Sequence, residues 1–209
     1  AVLRTQLALG YIAAGESDQA VAQLEDAVDL GGVGEADILL VLTHLQRHEY
    51  GKALAAARAI ATKQPKNPVP HNLMAAAYLG NKDRAAARRE FQQALKIDPG
   101  FAPAHANLAK LDELDGDRAS AKREYQLILD KDAQNVAAML GLARLADAAD
   151  QQQPALDWLE RARSKAPDAL EPSLLLARYH LSHDEPLKAL SISQDLSSRY
   201  PVNPLVLEI

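Results

Sequence analysis

No cysteine occurs in the 209 residues, which excludes disulfides and thiolate metal sites and leaves the redox compartment open. Aromatic residues are scarce at 4%, and alanine stands where a globular core would put bulk, which suits helices packed closely along their whole length. Long apolar runs are also lacking. The longest of large aliphatic residues, Ile38 to Leu42, falls far short of the roughly 20 residues that a membrane span needs. There is no excess of positive charge either: a net charge of -5 gives no electrostatic footprint for nucleic acid, and no nucleic-acid partner is expected. No His-Glu-x-x-His, nucleophile elbow or paired carboxylate in a plausible cleft can be read, so the expectation is a non-enzyme without catalytic residues or cofactor.

What the sequence does contain is a repeat. From Pro68 to Phe101 apolar residues recur at three and four (Leu73, Met74, Tyr78), break at Gly80-Asn81, resume at Ala87, Phe91 and Ala94, and stop at Pro99. That pattern predicts a helix, a tight turn and a second helix. Shifted by 34 residues, Leu108, Ala109, Ala121 and Tyr125 take the same places, and shifted again so do Leu142, Ala143, Ala155 and Leu159. The repeats run 1–33, 34–67, 68–101, 102–135, 136–169 and 170–203, which predicts six hairpins and twelve helices in one array over 1–209. In the first hairpin, Ser17 or Asp18 is expected to cap the second helix. Gly31-Gly32-Val33-Gly34 then replaces the usual proline stop and reads as a C-cap and linker.

The least variable column is the twentieth place, held by Ala20, Ala53, Ala87, Ala121, Ala155 and Ala189. Only a methyl fits where two helices cross at close range, so Ala87→Leu is expected to destabilise, whereas Ala86 is expected to face solvent. A second small column holds Ala8, Val41, Ala75, Ala109, Ala143 and Ala177. Large residues complement them, with Leu7, Leu40, Met74, Leu108, Leu142 and Leu176 on first helices and Leu24, Phe91, Tyr125 and Leu159 on second helices.

With Tyr11 and Tyr78 at the eleventh place and proline at the thirty-second in four repeats, these columns resemble the tetratricopeptide repeat over the whole chain. The resemblance implies an all-α fold, a right-handed α-solenoid of helix-turn-helix repeats. The sequence departs from the pattern at the fourth place, where His71 and His105 stand for tryptophan, and at the eleventh, where His44, Asp112 and His180 are expected to pack less well. A narrower resemblance lies in the strings Leu3-Arg4-Thr5-Gln6-Leu7-Ala8-Leu9-Gly10-Tyr11, Val41-Leu42-Thr43-His44-Leu45 and Lys63-Gln64-Pro65-Lys66-Asn67-Pro68-Val69-Pro70-His71-Asn72-Leu73. They are similar to those of the tetratricopeptide lipoproteins of PEP-CTERM protein-sorting systems. That family implies an exported, lipid-anchored repeat protein on the periplasmic side of exopolysaccharide-producing Gram-negative bacteria, with a cytoplasmic location as the alternative.

The sequence is expected to be an excerpt. Ala1-Val2-Leu3-Arg4 already sits in a repeat, and Pro204 to Ile209 reads as the start of a further helix. Any lipid anchor would then lie outside it. Leu3, Leu7, Leu205 and Leu207 do not belong to polar caps, so self-association through the ends is a further expectation.

The surface carries the functional reading. His44 with His48 and His180 with His183 are spaced for a shared metal, but no thiolate or carboxylate completes either set, and no metal is expected. Lys82, Arg84, Arg88 and Arg89, interleaved with Asp83 and Glu90, read as a solvated helix face. Trp158 is expected to pack on a neighbouring hairpin. In tetratricopeptide arrays the second, fifth, ninth and twelfth places line a concave groove, as the resemblance implies. Here they hold Leu9, Ile12, Ile38, Leu42, Leu45, Val69, Asn72 and Leu79 in the first three repeats and Lys110, Arg144 and Arg178 in the last three. Glu113 and Asp147 follow Lys110 and Arg144 as i,i+3 partners, which leaves Arg178 the least neutralised cation. The chaperone-type carboxylate clamp is disfavoured, because Asn107 and Lys110 are followed one repeat on by Leu140 and Gly141. The reading is therefore a non-enzymatic scaffold that holds a protein or peptide in its groove, in exopolysaccharide-linked sorting or secretion. A self-associating spacer, and the regulatory region of an enzyme such as a glycosyltransferase whose catalytic domain lies elsewhere, are the alternatives.

Overall fold

A computed structural model describes residues 1–31, 34–201, 203 and 204. Among them are twelve α-helices and no strand: α1 (Val2–Ala13), α2 (Ser17–Asp29), α3 (Glu35–Gln46), α4 (Tyr50–Lys63), α5 (Val69–Gly80), α6 (Arg84–Ile97), α7 (Ala102–Leu114), α8 (Arg118–Lys131), α9 (Val136–Asp147), α10 (Gln152–Lys165), α11 (Leu170–Ser182) and α12 (Pro186–Arg199). Gly32 and Val33 of the glycine-rich loop, and Leu205 and Leu207 of the expected further repeat, lie outside the described residues. The chain forms two compact units, Ala1–Leu111 and Asp112–Ile209. In the first, each helix from α1 to α6 packs on the next, and α3 also meets α5. In the second, consecutive helices from α8 to α12 pack in the same way.

One turn is used six times. The amide of the sixteenth place donates to the carbonyl of the eleventh: Glu16 to Tyr11, Glu49 to His44, Asp83 to Tyr78, Asp117 to Asp112, Gln151 to Ala146 and Glu185 to His180, all at 2.8 to 2.9 Å. This bond closes a helix end only if the residue before the donor is left-handed. Gly15 and Gly116 supply that conformation without a Cβ clash, and His48, Lys82, Asp150 and Asp184 adopt it at φ between 54 and 61°. The exits of the second helices are equally regular. From the second hairpin on, the amides of Asn67, Phe101, Asn135, Ala169 and Asn203 donate three residues back at 3.0 to 3.1 Å.

Side-chain caps are fewer than the turns. Asp83 accepts from the amide of Ala86, Asp117 from that of Ser120 and Asn135 from that of Ala138, at 2.9 to 3.0 Å. Each satisfies one of the amides that the start of a helix leaves without an intrahelical partner. Neither Ser17 nor Asp18 caps α2: Ser17 is already its first residue, and Glu16 holds the cap position without a side-chain bond.

The alanine column is buried throughout, at 0% exposure for Ala20, Ala53, Ala87, Ala121 and Ala155 and 1% for Ala189. Leu24, Phe91, Tyr125 and Leu159 fill the space that it leaves. Two of the expected positions differ. Leu7 is 49% exposed and is no part of the core, and Ala86 is buried at 4%, because the apolar stripe of α6 is wide enough to take both Ala86 and Ala87.

The eleventh place is also better packed than the sequence suggests. His44, Asp112 and His180 are at most 4% exposed. The ring Nδ1 of His44 lies 2.7 Å from Glu49 Oε2, and that of His180 lies 2.6 Å from Glu185 Oε2, so each imidazole is buried against the carboxylate that follows its own turn. The fourth-place histidines find partners in the same way, His71 at Glu90 (2.7 Å) and His105 at the carbonyl of Pro99 (3.0 Å).

Candidate functional site

In the first unit the expected groove residues divide by exposure. Ile38, Leu45 and Val69 pack against the cluster of Val41, Leu73 and Met74, and Leu79 packs against that of Phe91 and Leu111. Ile12 is half-buried, while Leu9 and Leu42 are exposed. Asn72 accepts a hydrogen bond at 3.1 Å from the side-chain amide of Asn107, one hairpin further on. Lys110, at the end of this unit, is exposed.

In the second unit the same places build a cleft. The i and i+3 positions of α9, Leu140 and Ala143, form its floor with Leu159 of α10, and Leu175 and Tyr179 of α11 form the facing wall. Arg144, Asp147, Arg178 and Ser182 stand at the rim of a volume of about 290 Å³. Tyr179 is fixed there by two contacts. Its hydroxyl donates to the carbonyl of Gln152 at 2.8 Å, and its ring stacks on His183 at 4.0 Å between centroids. Burial pushes its phenol above the ordinary range.

The two rim arginines differ. Arg144 does not pair with Asp147 three residues on. It reaches back to Glu113, with Nε donating to Oε2 at 2.9 Å and Nη2 to Oε1 at 2.8 Å, and Nη2 also lies 3.0 Å from the hydroxyl of Tyr125. This bidentate pair raises the Arg144 pKa. Glu113, expected beside Lys110 on its own helix, is thus engaged from the next hairpin. Asp147 lies 3.8 Å from Nε2 of His183 instead. Arg178 has no hydrogen-bond or ion-pair partner among the described residues, although it borders the apolar floor.

Of the residues that line this cleft, the sequence reading places Arg144, Asp147 and Arg178 in the groove and leaves out Leu175 and Tyr179. They stand at the sixth and tenth places, one residue round the helix from the fifth and ninth, and extending the face by that one step would have included them. The histidine pairs do not converge: His48 lies in a turn with its Nδ1 2.8 Å from the Tyr50 hydroxyl, and His183 stands at the C-cap of α11. Among the described residues no three His, Cys, Asp or Glu side chains are placed to hold a metal ion. No described helix is long and apolar enough to cross a membrane.

No family model and no curated protein sequence matches the chain. Solved structures do. PilW, a widely conserved type IV pilus biogenesis factor, superposes with a TM-score of 0.74 at 21% identity over 99% of this chain and 96% of its own. PilF of Pseudomonas aeruginosa gives 0.69 at 20% identity over 99% and 94%. TTC0263, a thermophilic tetratricopeptide-repeat protein of Thermus thermophilus, gives 0.68 at 20% over 85% and 97%. At these identities the likeness is one of fold: the chain has the all-α tetratricopeptide solenoid fold.

Proposed function

We propose that the chain is a non-enzymatic scaffold for protein–protein interaction, and that the cleft between α9 and α11 is one of its docking sites. The observation that carries this reading is Arg178, a cation without a partner among the described residues beside an apolar lining of Leu140, Leu159 and Leu175. An extended or helical segment with an apolar side chain and a nearby acidic group complements that surface. Leu9 and Leu42, exposed in the first unit, are proposed as apolar contacts of that unit. The fold shared with a type IV pilus biogenesis factor supports a scaffold role.

The finer assignment is to an exported, envelope-associated protein of exopolysaccharide-linked sorting, with a lipid anchor outside residues 1–209. It rests on the strings Leu3 to Tyr11, Val41 to Leu45 and Lys63 to Leu73, many of whose residues the repeat pattern does not dictate. The test is an affinity capture from the native envelope with full-length protein, wild type beside Arg178→Glu. A specific partner retained by the wild type and lost by the variant is expected. Equal retention by both would remove the cleft from the reading.

A further inference from the structure

The face of α9 that carries Arg144 and Asp147 has an opposite face, about half a turn round the axis, that carries Leu142, Leu145 and Ala146, with Ala149 in the turn just beyond the helix. There α9 meets α8 and α10 around a second slot of about 220 Å³. Leu142 and Leu145 form the floor, and Trp158 with Pro154 forms one wall. Arg161 stands over the Trp158 ring, 5.1 Å from its centroid. Arg118 and Lys122, one turn apart on α8, form the opposite rim. Neither side chain has a partner among the described residues, and no acidic residue lines the slot.

The slot is open because three side chains are trimmed to methyls. Where the second and sixth hairpins bury His44 and His180 at the eleventh place, the fifth has Ala146. At the fourteenth place the second hairpin has Arg47, whose Nη1 lies 2.6 Å from Asp18 of the hairpin before. The corresponding two residues at the slot are Ala149 and Ala119. A charged pair that ties one hairpin to the next is thus replaced by space, while Arg118 and Lys122 are left without countercharge.

The volume lies below the roughly 300–1,000 Å³ of sites that enclose a small-molecule ligand, and it matches one large side chain. Tryptophan and arginine around such a pocket are the residues that carry binding energy at protein interfaces. We propose that this slot is a second docking site, whose occupant is a segment of a partner protein presenting one large apolar side chain beside carboxylates. The apolar side chain enters against Trp158 and Leu145, and the carboxylates meet Arg118 and Lys122. Because the slot lies across α9 from the Arg178 cleft, the two sites act independently.

Trp158 is the only tryptophan and reports occupancy directly. Short acetylated peptides carrying one leucine or phenylalanine among aspartates, and matched peptides with asparagine for aspartate, are titrated while Trp158 emission is followed. The aspartate peptides are expected to shift the emission saturably. Arg118→Glu with Lys122→Glu should weaken them at least about tenfold at low salt, with a smaller loss at high salt. Ala149→Leu, which fills the slot, should remove the shift, and Arg178→Glu should leave it unchanged. Circular dichroism establishes that each variant is folded, and the milder pair Arg118→Gln with Lys122→Gln should change affinity in the same direction. The proposal is overturned if no aspartate peptide moves the emission, if the asparagine peptides bind as tightly, or if charge reversal has no effect. An emission change that follows protein concentration without peptide would assign the slot to a second copy of the chain and overturn it as well.

Discussion

Arg144 and Glu113 stand in successive hairpins and share two parallel hydrogen bonds, of 2.9 and 2.8 Å, and both also bond the hydroxyl of Tyr125. Tyr125 is 2% exposed and donates to Glu113 Oε1 at 2.8 Å. The cation that the sequence places in the groove is thus drawn into holding one hairpin on the next. Arg178, at the same place one repeat later, has Asp147 at the place of Glu113, but Asp147 lies against His183, and Arg178 has no ion pair among the described residues.

Tyr125→Phe keeps the packing of the ring and removes its hydroxyl. It should lower stability by about 1 kcal/mol, the net worth of an ordinary buried hydrogen bond, as read from chemical denaturation. Burial, reinforced by the bond to Glu113, pushes the Tyr125 phenol from 10.0 to about 12. The folded state therefore holds the proton more tightly than the unfolded chain. The stability this contributes is complete below pH 10 and is lost as pH rises through about 12. Tyr125→Phe should flatten the stability profile in that window, and an unchanged alkaline limb would contradict the assignment.

Gly141 is a packing residue of the same region. A Cβ at this position would run into the ring of Tyr125, which its two hydrogen bonds hold in place. Gly141→Ala should therefore cost about 1 to 3 kcal/mol despite the better helix propensity of alanine. Gly10 in α1 has nothing within 4 Å of the corresponding point. Gly10→Ala should raise stability by up to about 1 kcal/mol, and thermal melts of the two variants should move in opposite directions.

The small and large columns were legible because a fixed period repeats each helix crossing, so an alanine that recurs at one place reports geometry and not composition. What escaped depends on pairings across hairpins. The turn to Glu113 by Arg144, in place of Asp147, is set by which carboxylate lies behind the helix, and i,i+3 spacing alone cannot show that. The burial of His44 escaped because its acceptor Glu49 belongs to the next helix's cap, five residues on. Ala86 was misplaced because a single-column frame underestimates how wide the buried stripe of α6 is.

That correction changes the expectation for the alanine column. Ala87→Leu and Ala86→Leu should both destabilise by about 1 to 3 kcal/mol, since both methyls are buried. Ala85 is exposed, and Ala85→Leu should change stability by less than about 0.5 kcal/mol. Denaturation midpoints of the three variants check the helix face; a neutral Ala86→Leu would contradict the burial.

The last expectation concerns acid. Glu49 receives a hydrogen bond from the buried ring of His44, and contacts with Arg47 at 3.1 Å and Lys52 at 3.4 Å add to it. Together, with His44 the largest influence, they pull its carboxyl from 4.5 to about 2. Glu185 at the same place in the sixth hairpin is lowered too, first by Lys188 and then by His180. A depressed carboxylate stabilises the folded state while it is ionised. The contribution of Glu49 is therefore fully present above pH 4.5 and fades as pH falls through about 2. Glu49→Gln keeps the size of the side chain but has no charge to lose. It should lower the melting temperature at neutral pH and lose less further stability than the wild type between pH 4.5 and pH 2. Melting curves collected across that interval decide the matter: parallel decline in the two proteins would mean that His44 and Glu49 are not coupled in the folded state. Because Glu49 also closes the turn through its backbone amide, Glu185→Gln serves as the control for a local turn effect. It should produce the same change of slope in the sixth hairpin while leaving the His44 environment, read by its imidazole proton resonances, unaltered.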